Sequence, residues 1–221
     1  MAIAKRKTNL MTQGNIVKQI LFFSIPLILG NLLQQLYSTV DSIIVGNFVG
    51  SNALAAVGSS TSLIYLLIAF SQGAATGAGV VVSQYFGAKD KKGTESSIAN
   101  GSYTCILIAF VMTAIALLTT KPILLLLNTP QSLLPDALTY MYIFMGGLIA
   151  VAAYFTPFSI LRALGDSKTP LTFLVLCSLL NIVLDLLFVV VFKTGVAGAA
   201  IATVLSEAIA AVLCEIPAHN Y

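Results

Sequence analysis

Long apolar runs, each closed by a short cluster of glycine, asparagine, proline or charge, recur along this chain from its beginning to its end. A helix needs about 20 mainly apolar residues to cross roughly 30 Å of hydrocarbon, and on that measure six segments qualify. They lie near residues 16–48, 53–86, 96–120, 133–161, 170–192 and 196–214. The punctuation between them is Gly50-Ser51-Asn52, the stretch from Gly87 to Gly93, Asn128-Thr129-Pro130, Gly165 to Lys168, and Lys193-Thr194-Gly195. The pattern predicts an all-α membrane protein, a single bundle of six transmembrane helices over residues 1–221, with little chain left for a soluble domain.

Composition sharpens this reading. Of the 221 residues 58% are hydrophobic and 9% charged, against about a quarter charged in a soluble domain. Between Lys18 and Lys89 the one ionised side chain is Asp41. A secretory signal has one short apolar stretch near the N-terminus, whereas here apolar stretches continue to the C-terminus, so Lys5, Arg6 and Lys7 flank a retained span. Basic residues near span ends stay on the cytoplasmic side. With the N-terminus inside, nine of the 11 basic residues fall on inner segments, among them Lys89, Lys91, Lys92, Arg162 and Lys168. The outer loops hold only Lys121 and Lys193. Six crossings then return the C-terminus to the cytoplasm. The net charge of +3 comes from these loops and fits an anionic lipid face rather than nucleic acid.

Little conventional site chemistry is present. Cys105, Cys177 and Cys214 lie in apolar stretches with neither CxxC nor His-paired spacing, and read as small hydrophobic residues. His219 is the only histidine and stands two residues before the last. The run from Gly73 to Gly79 lacks the Lys and Ser/Thr of a phosphate loop, and reads as close helix packing with Gly73 and Gly77 on one face. With no Ser/His/Asp set, metal cluster or nucleotide fingerprint, the sequence points away from an enzyme and from any cofactor beyond a coupling ion.

The ionisable residues inside the spans are the functional candidates, because each costs at least a few kcal/mol there. Asp185 follows Asn181 and Ser178 at helical spacing, a polar stripe on an apolar helix. Lys193 marks the outer end of that helix, which places Asp185 roughly 12 Å inside it. Asn31, Gln34, Ser38 and Asp41 repeat the pattern in the first segment. Thr203, Ser206 and Glu207 form a third patch, of which Glu207 is nearer the cytoplasmic end and reads as interfacial. If the first, fifth and sixth spans are neighbours, the stripes line one cavity. The alternative is that Asp41 caps a shorter first helix ending near Val40 while Asn and Ser glue helices together. Pro26 removes a backbone hydrogen bond and permits a kink, either as a hinge or as a static bend. A shift of 144 residues lays Pro26 on Pro170 and Asp41 on Asp185, a weak parallel repeat of one helical hairpin.

A carboxylate held away from water can keep a proton near neutral pH and release it as another cation arrives, which is the physical basis of antiport.

Three stretches carry a family resemblance: "PLILGNLLQQLYSTVDSIIVGNFVGSNALAAVG" from Pro26, "SQGAATGAGVVVSQYFGAKDKKG" from Ser71, and "LRALGDSKTPLTFLVLCSLLNIVLDLLFVVVFKTGVAGAAIATVLS" from Leu161. They resemble the MATE (multidrug and toxic compound extrusion) transporters, in particular their prokaryotic, DinF-like branch. The resemblance implies a twelve-helix antiporter of two six-helix lobes that expels lipophilic, often cationic compounds in exchange for H⁺ or Na⁺ across a bacterial or archaeal plasma membrane. It places a cation site in the N-lobe around Asp41, with Asp185, Asn181 and Thr203 as partners. Members are about twice as long, so this chain is expected to be an N-lobe whose second six-helix lobe lies elsewhere. A lipid-linked-sugar or polysaccharide flippase of related architecture is the rival transporter reading, and would need basic residues in its cavity. A non-transporting membrane fragment is the third.

Overall fold

The computed structural model describes residues 15–218, with side chains to residue 214; Lys5, Arg6, Lys7 and His219, read above from the sequence, lie outside them. Seven α-helices follow in order: α1 (Ile16–Phe48), α2 (Ser51–Gly87), α3 (Lys91–Leu126), α4 (Leu134–Gly146), α5 (Leu148–Ala163), α6 (Lys168–Asp185) and α7 (Val196–Ala218). Five spans are long and apolar enough to cross a membrane by themselves, and α4 with α5 makes a sixth. The expected single helix over residues 133–161 is thus two helices, bent by 47° at a break between Gly146 and Leu148. A glycine pair allows such a break, and Gly147 lies so close to the Val204 side chain of α7 that a Cβ there would collide with it.

Short polar residues start the helices where the sequence punctuates them. Asn15 accepts a hydrogen bond from the Lys18 amide at 3.2 Å, and Asp90 does so from the Gly93 amide at 2.9 Å. At the α5–α6 turn Asp166 Oδ1 accepts from the amides of Lys168 and Thr169, while the Thr169 hydroxyl donates to Oδ2 at 2.6 Å. Each satisfies amides that a helix start leaves without a partner. α1 keeps its expected bounds and passes through Pro26 as one helix to Phe48, while α3 extends beyond the expected residues 96–120 at both ends. The alternative of a cap at Asp41 therefore does not hold: the residue stands seven positions before the end of α1.

α6 ends unusually. Directly after Asp185 the backbone widens into a π-helical turn, Leu186–Val191, closed by the Phe192 amide donating to the Leu187 carbonyl at 2.9 Å. The Thr194 amide and hydroxyl both donate to the Phe188 carbonyl, at 3.1 and 2.8 Å. Backbone groups in hydrocarbon must find partners within the protein, and these bonds supply them where the α-ladder is interrupted. π turns are frequently found at functional positions.

The interior is built where α5 and α7 pass between the other helices, with Met141, Met145, Leu148, Val151 and Leu161 fully enclosed. By contrast α1 exposes much of its length, including Ile20, Phe22, Ile28 and Leu36. Small residues admit the closest approaches. The tight α2–α5 contact uses Ser71, Ala75 and Gly79, all buried, rather than the expected face of Gly73 and Gly77. A Cβ at Gly79 would stand 3.2 Å from the Ser159 carbonyl oxygen, whereas Gly73 and Gly77 have open space. Gly77 instead faces a groove between α2 and α3 that Tyr85 and Asn100 also line. The two glycine sets lie on different faces of one helix, and their partners decide which is packed.

Backbone cannot move aside as a flexible side chain can. Gly79→Leu should therefore destabilise the lobe by about 1–3 kcal/mol through overpacking, while Gly77→Leu should stay within about 0.5 kcal/mol of the parent. Thermal unfolding of the two variants in the same detergent reads the difference, and equal losses would contradict the assigned packing face.

Candidate functional site

Three helices bring the polar stripes together. α6 packs against both α1 and α7, so Asp41, Asp185, Asn181 and Thr203 come from elements that touch. Asp185 is 0% exposed, Asn181 1% and Asp41 9%, in helices whose outward faces carry Leu, Ile and Val. On α6 the buried positions Leu174, Cys177, Ser178, Asn181 and Asp185 form one face, as the spacing of three and four requires. The stripe is turned inward because an unpaired polar group facing lipid would lose hydrogen bonds that nothing there replaces.

The donors and acceptors are unevenly matched. Asn181 Nδ2 donates to Thr203 Oγ1 at 3.4 Å, a long bond that links α6 to α7. Thr203 Oγ1 in turn donates to the Ala199 carbonyl at 3.1 Å. No protein donor reaches Asp41 Oδ1, Asn181 Oδ1, or either carboxylate oxygen of Asp185. Asp41 and Asp185 lie within electrostatic range of each other, and the Tyr140 hydroxyl of α4 is in range of both. Enclosed oxygens with acceptor capacity are the chemistry that holds a hard cation or a proton.

The other expected cavity residues divide. Asn31 and Gln34 line a cavity of about 100 Å³ together with Gln72 and Thr76 of α2 and Tyr154, Ser159 and Arg162 of α5. Ser38 and Ser178 are not in its lining. Ser178 is buried and donates to the Leu174 carbonyl at 2.8 Å, so its hydroxyl is satisfied by its own helix. Ser38 is half-buried, and its carbonyl accepts from the Ser42 hydroxyl at 3.0 Å. Pro26 lies on α1 one and a half turns before Asn31.

Two residues stand differently from expectation. Glu207 is not interfacial: it is 5% exposed, and its Oε2 has no protein donor. α4, α5 and α6 all pack against α7, and helix packing rather than distance from the chain end decides the burial of Glu207. Arg162 is not confined to the loop. It belongs to α5, lines the cavity, and holds its guanidinium carbon 4.0 Å from the Phe158 ring centroid. Its apolar stem and planar head suit such a ring face at a wet boundary. Tyr140 and Tyr154 were not singled out from the sequence, since a tyrosine in an apolar run reads as ordinary core.

Comparison with known proteins places the chain in a family. The MatE family model matches residues 26–187. A probable multidrug resistance protein, YpnP of Bacillus subtilis, is 39% identical over 201 residues, covering 90% of this chain and 45% of that protein. The probable multidrug resistance protein NorM of Thermotoga maritima is 27% identical over 200 residues, 88% of this chain and 42% of its own length. Among solved structures, a MATE protein in its bent conformation superimposes with a TM-score of 0.84 at 29% identity, over 91% of this chain and 44% of that one. An outward-facing multidrug resistance MATE transporter gives 0.80 at 28%, with coverage of 91% and 44%. The chain spans about half the length of the relatives it matches. From the family match across most of its helices and the identity to YpnP, this multi-pass membrane chain belongs to the MatE family of transporters.

Proposed function

We propose that this chain forms the N-terminal lobe of a cation-coupled exporter in which Asp41 and Asp185 bind the coupling ion, H⁺ or Na⁺, with Asn181 and Thr203 completing its surroundings. The observation that carries this reading is the enclosed oxygen set: two carboxylates on adjoining helices, and one amide oxygen, with atoms that no protein donor reaches. Two carboxylates within range of each other resist ionising together without a positive charge between them. Proton release and cation entry are then linked at one place, and the linkage is reciprocal. The π turn directly after Asp185 and Pro26 on α1 give the two helices local freedom to follow a change of occupancy.

The exported compounds are lipophilic and often cationic, a reading supported by relatives named for multidrug resistance and, in Staphylococcus saprophyticus, multidrug export. They would be held between this lobe and a second six-helix lobe, for which the long exposed apolar face of α1 is a suitable neighbour. In a bacterial or archaeal plasma membrane, Lys89, Lys91, Lys92, Arg162 and Lys168 would lie on the cytoplasmic side with both chain ends.

One observation favours the flippase reading. Arg162 lines the polar cavity, and a guanidinium there can hold a phosphate. A single arginine is a weak match for a pyrophosphate, which gathers several donors, and the relatives' names point to drug efflux. Export of a lipid-linked sugar with no dye efflux from the same vesicles would favour that rival.

In vesicles containing the full-length relative YpnP, changing the residues aligned with Asp41 and Asp185 to asparagine should each lower ion-driven dye efflux by roughly tenfold or more. Passive dye binding should be retained. Coupled efflux that persists in both variants would contradict the site assignment.

The cavity gives a second expectation, in a background with Cys105, Cys177 and Cys214 replaced by alanine. A cysteine introduced at Asn31 should react readily with a membrane-impermeant maleimide, and one at Asp185 should react at least about tenfold more slowly, because thiolate chemistry needs solvent access. Equal rates would mean that Asp185 is open to bulk water.

A further inference from the structure

We propose that Glu207 and Tyr154 form a second proton-binding site in the middle of the lobe, distinct from the Asp41–Asp185 pair and in communication with the cavity lined by Asn31, Gln34 and Arg162. Glu207 stands eleven residues into α7, or about 16 Å along it, close to half the depth of a bilayer core. Its Oε2 and the Tyr154 hydroxyl are both enclosed and both lack a protein hydrogen-bond partner. Tyr154 is within electrostatic range of Glu207, and it also forms part of the cavity wall. Tyr154 thus belongs to a helix that packs against α7 and at the same time forms part of the cavity wall.

Among the described residues, the surroundings of Glu207 are weakly polar and carry no opposite charge. The titratable groups within electrostatic range of it are Tyr37 on α1, Tyr140 on α4, Tyr154 on α5 and Cys177 on α6. The π turn, Leu186–Val191, has no titratable side chain, and Arg162 lies beyond Tyr154 on the cavity side. A carboxylate in hydrocarbon without a counter-charge is costly, and tyrosine hydroxyls can donate to it or accept from it. A proton leaving the Glu207 carboxyl group would pass to water from the cavity beside the Tyr154 hydroxyl, and return the same way. Tyr140 is in range of Asp41, Asp185 and Glu207 alike.

A purely structural role would make Glu207 a neutral hydrogen-bonding spacer, which glutamine replaces. The two roles separate in infrared spectra of the 221-residue chain in lipid nanodiscs, recorded in the Asp41→Asn/Asp185→Asn background so that the outer pair is silent. The expected result is a protonated-carboxyl C=O band that titrates with pH and shifts in D₂O. It should disappear in Glu207→Gln, return at a shifted position in Glu207→Asp, and exchange several-fold more slowly in Tyr154→Phe. A band unchanged by Glu207→Gln, one that does not titrate, or exchange indifferent to Tyr154→Phe would overturn the proposal. Because the outer carboxylates are absent from this measurement, failure of the Glu207 site and failure of the Asp41–Asp185 site are read independently.

Discussion

In hydrocarbon, a carboxylate can be tolerated only where protein surrounds it, and this chain places three of them there. Turning Asp41, Asp185 and Glu207 away from lipid fixes the rotation of α1, α6 and α7 about their own axes. The apolar side chains cannot do this, since lipid is as apolar as the interior and exerts no preference between the two. The polar stripes thus orient the helices, while the small residues Ser71, Ala75, Gly79 and Gly147 set how closely they approach.

From that constraint the functional arrangement follows. Asp41 and Asp185 are both buried, on α1 and α6, which pack against each other. Their unpartnered oxygens keep acceptor capacity in an enclosed space, which a fully satisfied network would have consumed. The link from Asn181 to Thr203 is long and leaves the amide oxygen uncommitted. The α-helical ladder of α6 gives way to the π turn directly after Asp185. The close α2–α5 contact lies elsewhere, where Gly79 meets Ser159.

The cavity adds an inner counterpart. Asn31, Gln34, Gln72, Thr76 and Ser159 make it polar, and Arg162 gives it positive charge. The carboxylates of the spans lie outside its lining.

The sequence by itself determined membrane insertion, the six apolar segments and the polar stripes, because these follow from composition and from the fixed rise of a helix against the thickness of a bilayer. It also marked Asp41 and Asp185, since a charge within a span is conspicuous wherever the helix lies. Tertiary structure alone decided which side of each apolar helix meets protein, because hydropathy cannot tell a lipid contact from a helix contact. That is why Gly79 rather than Gly77 is packed, why the fourth span breaks at Gly147 under Val204, and why Glu207 is enclosed rather than interfacial. The meeting of Asp41 with a carboxylate 144 positions away likewise depends on α1 and α6 packing side by side, a contact between distant segments that local spacing along the chain does not specify.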